Sequence, residues 1–186
     1  DRQYGRDRKG SDHSLTDELK LALSDLRYIF ANAKSRELLP RQEPGSHYSV
    51  FTDGSQEEWS VGGIGGVVLG PEGTPGEWWG ATVPECVVGQ WSDREGSDII
   101  NMELYAVFAS IQTWATKLAK KRVIFFIDNS AAWSMPCKAP AGKPGQRILV
   151  AAIWRLVDAL GIKPWFEWVE TDANCSDGPS RIFTDG

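Results

Sequence analysis

The stretch RVIFFIDNSAAW, residues 122–133, runs apolar for five residues and then meets Asp128 and Asn129 side by side. Five consecutive β-branched or aromatic residues are too apolar for a half-solvated strand, so this segment is predicted to lie in the middle of a sheet covered on both faces. Such a strand has no packing reason to end on a carboxylate. An ionised Asp at the edge of a dry core costs several kcal/mol unless a partner, a metal or water compensates it. A compensating group contributed by another part of the chain is therefore expected.

The segments on either side read as elements of one sheet. HYSVFTDGS (47–55) is a strand ending in a polar turn, VGGIGGVVLGP (61–71) a second strand softened by glycine, and GEWWGATVP (76–84) a third. The first two suit a hairpin. A Gly/Ser/Asp-rich loop leads into IINMELYAVFASIQTWATKLAKK (99–121), where Leu104, Val107, Phe108, Ile111, Ala115 and Leu118 keep helical spacing. After the buried strand come a short helix from Ser130, a Pro/Gly/Lys loop, a longer helix over 146–160, and a strand KPWFEWVE (163–170). A last helix is expected at SDGPSR, capped by Ser176 or Asp177 with Pro179 in its first turn. This order describes an α/β fold, a mixed five-stranded sheet with helices on both faces. GIGG in the second strand is no dinucleotide motif, because no helix follows it and the GxGxxG spacing is missing.

At 186 residues the chain is one domain with an appendage. Residues 1–13 are polar and charged and read as a disordered tail. Residues 14–46 read as an amphipathic tether helix followed by a linker. Ser14 and Asp17 form the expected cap, apolar positions recur as far as Leu39, Pro40 stops the run, and RQEPGS is the linker. The main domain is 47–186. No run of about eighteen uncharged apolar residues and no apolar signal-peptide core is present, which predicts an intracellular, non-secreted protein. Cys86, Cys137 and Cys175 are far apart and without a CxxC pairing, so they read as small buried thiols rather than disulfide or zinc ligands. The net charge of −5 hides a strong asymmetry. Residues 43–103 carry eleven acidic side chains against Arg94 alone, whereas 117–147 carry seven basic ones against Asp128 alone. A local field of that sign can hold phosphates even on an acidic protein.

Four carboxylates sit at element ends: Asp53 closing the first strand, Glu103 in the first turn of the long helix, Asp128 closing the buried strand and Asp177 opening the last helix. If they converge, they cannot all stay ionised without a cation, since like charges at close range raise each other's pKa. All-oxygen ligation favours Mg²⁺ or Mn²⁺ over zinc. Two such ions about 4 Å apart clamp the attacking and leaving oxygens of a phosphoryl displacement.

Taken together, TDGS around Asp53, INMEL around Glu103, FFIDNSAAW around Asp128 and WVETDANCSDGPSR around Asp177 resemble, in order and position, the active site of the ribonuclease H family. The likeness is greatest to the ribonuclease H domains that follow reverse transcriptase in retroelements and their viral relatives. It covers roughly residues 47–183 and rests on four ordered motifs rather than on any one of them. The resemblance implies a ribonuclease H-like fold and cleavage of the RNA strand of an RNA/DNA hybrid with two Mg²⁺ or Mn²⁺ ions, held by Asp53, Glu103, Asp128 and Asp177. It also implies substrate contacts from Asn101 and Asn129, with Arg181, Lys138, Lys143 and Arg147 as phosphate partners; separately, Trp133, on the short helix just after Asp128, is the ring placed to meet a hybrid. The helix at 15–39 resembles the tether to an upstream reverse transcriptase domain, and the missing start methionine fits an excised fragment. One departure concerns the loop before the last Asp, which carries a mobile His in many cellular members. Here ETDANCS has none, and the only histidines are His13 and His47. Glu170 and Asp172 are the candidates to take its place.

Three competing readings fit less well. A 3'-to-5' exonuclease has Asp-x-Glu on its first strand where this chain has DGS, and an integrase-like enzyme would place its last carboxylate on a helix where this chain carries Glu103 on the first long one. A silent connection-type domain that binds hybrid or a polymerase partner would have no need of four intact carboxylates.

Overall fold

The computed structural model describes residues 14–32, 47–56, 62–71, 74, 76–91, 99–138 and 143–182. The chain divides into two units, Asp1–Ala33 and Lys34–Gly186. In the first, helix α1 spans Asp17–Asn32. Thr16 Oγ1 accepts the Leu19 N–H at 3.2 Å, so Thr16 caps the first turn. The expected run to Leu39, the linker at 41–46 and the tail 1–13 lie outside the described residues.

The second unit is built in the order β1 (Tyr48–Ser55), β2 (Gly63–Leu69), β3 (Glu77–Thr82), α2 (Glu85–Trp91), α3 (Ile99–Thr113), α4 (Ala115–Leu118), β4 (Arg122–Ile127), α5 (Ser130–Cys137), α6 (Pro144–Leu160), β5 (Lys163–Trp168), a 3₁₀ turn (Thr171–Ala173) and α7 (Asp177–Arg181). The five strands form one sheet in the order β3-β2-β1-β4-β5. β1 pairs antiparallel with β2, and β2 with β3, while β4 runs parallel to both β1 and β5. The mixed sheet and the hairpin are as expected. α2 was not expected; it starts straight after Pro84, whose carbonyl accepts the Val87 and Val88 N–H groups. The long helix also breaks, because Trp114 leaves helical geometry between α3 and α4 (φ −107°, ψ 26°). Its indole Nε1 donates to Glu77 at 3.1 Å, and Lys117 bonds the same carboxylate, which ties α4 to the start of β3.

One face of the sheet carries the core. Val50, Phe125 and Ile127 point toward α3 and α6 and are fully buried with Leu104, Val107 and Ile153. Phe125 stacks on Phe166 with centroids 5.3 Å apart, and Trp154 of α6 closes on Phe166 edge-on at 5.9 Å. The opposite face differs from expectation. β4 is central in the pairing, but Ile124 and Phe126 are only half-buried, and Phe126 finds its partner within the sheet, stacking on Phe51 at 4.5 Å. The reason is length: α7, which lies on this face over β2 and β3, has only five residues. Trp78 and Trp165 are accordingly 63% and 64% exposed, whereas Trp91 and Trp114 are buried. The cysteines also depart from expectation: all three are free and exposed. Among the described residues no helix is long and apolar enough to cross a membrane.

This one-sided core is testable. Phe125→Ala is expected to cost about 3–5 kcal/mol in urea unfolding. Phe126→Ala, which loses a stacked pair and partial cover, is expected to cost about 1–2 kcal/mol. Equal losses would mean that both faces of β4 are covered in solution.

Candidate active site

The parallel β1–β4 pair sends two carboxylates out of the sheet at the same end. Its register stops at Thr52–Ile127; the next residues along the two strands are Asp53 and Asp128. Glu103 enters from α3. The approach is close enough that a Cβ on Gly54 would fall 2.8 Å from the Glu103 nitrogen and from Met102, so glycine at 54 is what lets the helix touch the strand. One carboxylate oxygen from each of Asp53, Glu103 and Asp128 then lies within 4.8 Å of the others. Asp53 and Glu103 are buried, at 5% and 3% exposure.

Such crowding changes proton affinities. Burial pushes the Asp53 carboxyl up; the Ser180 hydroxyl pulls it back down, the charges of Asp128 and Asp177 add to the rise, and Arg181 opposes them. Glu103 is pushed up to about 10, first by burial, then by the charges of Asp53 and Asp128 and a hydrogen bond to Asp128, against which the Gly54 N–H acts weakly. By itself, then, the chain holds Glu103 protonated at neutral pH. Glu103 Oε2 is also buried without a hydrogen-bond partner. A buried, unpartnered oxygen on one of three crowded carboxylates is what a hard divalent cation satisfies, and the donor set, all oxygen, fits Mg²⁺ or Mn²⁺ better than zinc. Asp53, Glu103 and Asp128 therefore fit a divalent-cation site.

The other expected residues fall in different places. Asp177 opens α7 beside the cluster, close enough for its charge to act on Asp53, but outside the 4.8 Å group. Its Oδ1 accepts from Arg181 Nε (3.0 Å) and Nη2 (2.7 Å), which engages both side chains with each other. Asn101, in the first turn of α3, is buried, and its Oδ1 has no hydrogen-bond partner. Asn129 is a helix cap: its Oδ1 accepts the N–H groups of Ala131 (3.1 Å) and Ala132 (3.0 Å). Trp133 is half-buried, and its Nε1 donates to the Phe166 carbonyl at 3.1 Å, which fastens α5 to β5.

The basic segment is divided. Lys120 N–H bonds the Leu160 carbonyl at 2.9 Å, so the end of α6 meets the start of β4. Lys117, Lys120 and Lys121 thus lie roughly 20 Å from Asp128 along β4. Lys143, at the N-cap position of α6, and Arg147 in its first turn lie about 25 and about 20 Å back along that helix, toward the carboxylate end. Lys138 is the exposed C-cap of α5.

Several residues at the site carried no individual sequence signal. Ser180 Oγ donates to Asp53 Oδ2. Asn174 is buried and clamps the last turn to β1. Its Nδ2 donates to the Thr52 carbonyl (3.1 Å), and its Oδ1 accepts from Ser176 Oγ (2.6 Å) and N (3.3 Å). Trp168 Nε1 donates to the Asp128 carbonyl at 2.9 Å. Asn174 and Ser180 stand within the quoted ANCSDGPSR string, where the spacing alone says nothing of whom they bond.

Comparison with solved structures identifies the fold. The chain is similar to RNase H1 from the halophilic archaeon Halobacterium salinarum, with a TM-score of 0.60, 15% identity, and coverage of 75% of this chain and 99% of that one. It is similar also to the N-terminal RNase H domain of a Mycobacterium tuberculosis protein (TM-score 0.52, 14% identity, 73% and 91% covered). A third likeness is to an RNase H1 isolated from compost by a metagenomic approach (0.50, 14%, 73% and 96%). No family model and no curated protein sequence matches. The architecture is the ribonuclease H fold.

The raised Glu103 pKa has a sign that can be checked. Folding holds a proton there that the unfolded chain releases above its ordinary value of 4.5. Stability is full below that value and is lost as pH rises toward about 10, at up to roughly 1.4 kcal/mol per pH unit. Metal-free protein is therefore expected to melt at progressively lower temperature from pH 5 to pH 9. Glu103→Gln should flatten the trend, and an unchanged slope in that variant would assign it to another group.

Proposed function

We propose that the chain is a divalent-metal-dependent nuclease that cuts the RNA strand of an RNA/DNA hybrid. The observation that carries the reading is the meeting of Asp53, Glu103 and Asp128 within 4.8 Å at the end of the β1–β4 pair, with one oxygen of Glu103 left unpartnered. The ribonuclease H fold and the four ordered motifs support it. A divalent cation held by Asp53, Glu103 and Asp128 would polarise a phosphoryl oxygen and lower the pKa of a bound water. The chain's own contribution is to hold two carboxylates on a rigid sheet end, bring a third to them from α3, and exclude water from two of the three. The Glu103 proton leaves as that carboxylate takes up its ligand role, so affinity should rise with pH.

Asp177 is the fourth carboxylate of this reading, paired with Arg181 at the rim. Lys138 at the end of α5 and Lys143 and Arg147 at the start of α6 are the phosphate contacts of this reading, which the basic character of that segment supports. Asn101 is its candidate for the ribose 2'-hydroxyl, since the buried Oδ1 lacks a partner. Trp133 and Asn129 contribute by holding α5 in place. The resemblance of the NCSDGPSR segment to retroelement domains supports work during reverse transcription, next to an upstream polymerase.

The test is incubation of purified protein with a labelled RNA/DNA hybrid and Mg²⁺ or Mn²⁺, alongside single-stranded RNA, duplex DNA and Asp128→Asn. Cutting confined to the RNA strand of the hybrid, and reduced on the order of 10²-fold or more in the variant, is expected. Hybrid binding without cutting would make the protein a binding module; equal cutting of all substrates would remove the hybrid from the reading.

A further inference from the structure

Ser180 lies outside the carboxylate cluster but is bonded to it. Its side chain is 1% exposed, and it is held from three directions. The hydroxyl donates to Asp53 Oδ2, the carbonyl accepts from Ser55 Oγ at 2.8 Å, and the N–H donates to the Ser176 carbonyl at 3.1 Å. The Asp177 carbonyl also stands 2.9 Å from the hydroxyl oxygen. With a single hydrogen to give, the hydroxyl favours the carboxylate, because hydrogen bonds to an ionised acceptor are roughly twice as strong as neutral ones.

Two glycines make this placement possible. Gly65 of β2 pairs with Asp53 across the ladder, and a Cβ there would fall 2.5 Å from the Ser180 nitrogen. A Cβ on Gly80, which pairs with Gly65 in β3, would fall 2.3 Å from the Pro179 carbonyl oxygen. The α7 backbone thus rests directly on a bare glycine pair of two neighbouring strands, and Pro179 and Ser180 are the residues that touch it. The GG-rich strand is the seat for that helix.

We infer that Ser180 is a positioning residue for Asp53: the hydroxyl fixes the rotation of that carboxylate, and the Gly65–Gly80 seat sets the height at which α7 delivers it. A carboxylate with one oxygen held has the direction of the other set in advance, which matters where three acidic groups share one ion. The inference rests on the proposed metal reading of the cluster and adds to it the residue that orients one ligand.

Mn²⁺ binding by the protein alone, followed by electron paramagnetic resonance and by the metal-induced shift in Tm, tests this without any nuclease assay. The proteins compared are wild type, Ser180→Ala, Ser180→Cys, Ser180→Thr and Asp128→Asn, with the metal-free Tm of each as a fold control. Ser180→Ala and Ser180→Cys, the second of which keeps the volume but lacks a strong donor, are expected to bind Mn²⁺ about 10-fold more weakly. Ser180→Thr is expected to recover most of that loss. Wild-type Mn²⁺ affinity in both Ser180→Ala and Ser180→Cys, with Asp128→Asn impaired, overturns the role of Ser180 and leaves the metal reading standing. A lowered Tm with unchanged affinity likewise makes Ser180 purely structural. Absence of Mn²⁺ binding by the wild type overturns both.

Discussion

Everything at the candidate site depends on β1 and β4 lying side by side and parallel. Antiparallel neighbours would send Asp53 and Asp128 to opposite ends of the sheet; parallel ones bring both to the same edge, just past the last paired residues. The strands are rigid because Val50, Phe125 and Ile127 are fully buried against α3 and α6. The carboxylates therefore cannot drift apart to relieve their repulsion. Glu103 absorbs the conflict by keeping a proton that an exposed glutamate would release. That cost is why the cluster fits a divalent cation, since such an ion would remove the repulsion and the desolvation penalty together.

Helices reach this edge from both faces, and in each case a missing Cβ allows it. Gly54 admits α3 and thereby Glu103, while Gly65 and Gly80 admit α7 and thereby Ser180 and Asp177. These contacts are backbone against backbone, which leaves little room for adjustment: an added methyl at any of the three must move a helix rather than a side chain. Asn174 and Trp168 add smaller restraints, one on the carbonyl of Thr52 and one on that of Asp128. The site is stiff because the backbone on either side of each key carboxylate is tied to another element. Among the described residues of the second unit, the face of the sheet beyond α7 carries aromatic side chains that stack on one another.

Much of this was legible in the chain. Apolar runs bounded by turn and glycine signals placed all five strands, and the 3.6-residue period placed the main helices, because those signals are local and hold whatever the distant contacts. The four carboxylates stood out because each reads in the sequence as standing at an element end, although β1 runs on past Asp53 to Ser55 and Glu103 is the fifth residue of α3. Three readings failed for tertiary reasons. β4 looked two-sided because composition records apolarity and not what is available to cover it. The basic residues of 117–147 looked like one field because they are near in sequence, although the lengths of β4 and α6 hold the two ends of that segment apart. The cysteines looked buried because free thiols usually are, and that is a property of the average and not of these surfaces.

What the sequence determined by itself was the kind of protein: a mixed sheet with helices, acidic residues at strand and helix ends, and glycines where strands would otherwise carry side chains. Those are local properties, fixed by which residue types stand at which spacing. Only the tertiary structure decided which carboxylates share a point and which stands beside it, that Asn129 and Trp133 spend their polar atoms on holding α5, and that Ser180 meets Asp53. Each of those depends on separations of tens of residues closed by packing, and a hydrogen bond over such a distance leaves no periodicity in the chain for a reader to find.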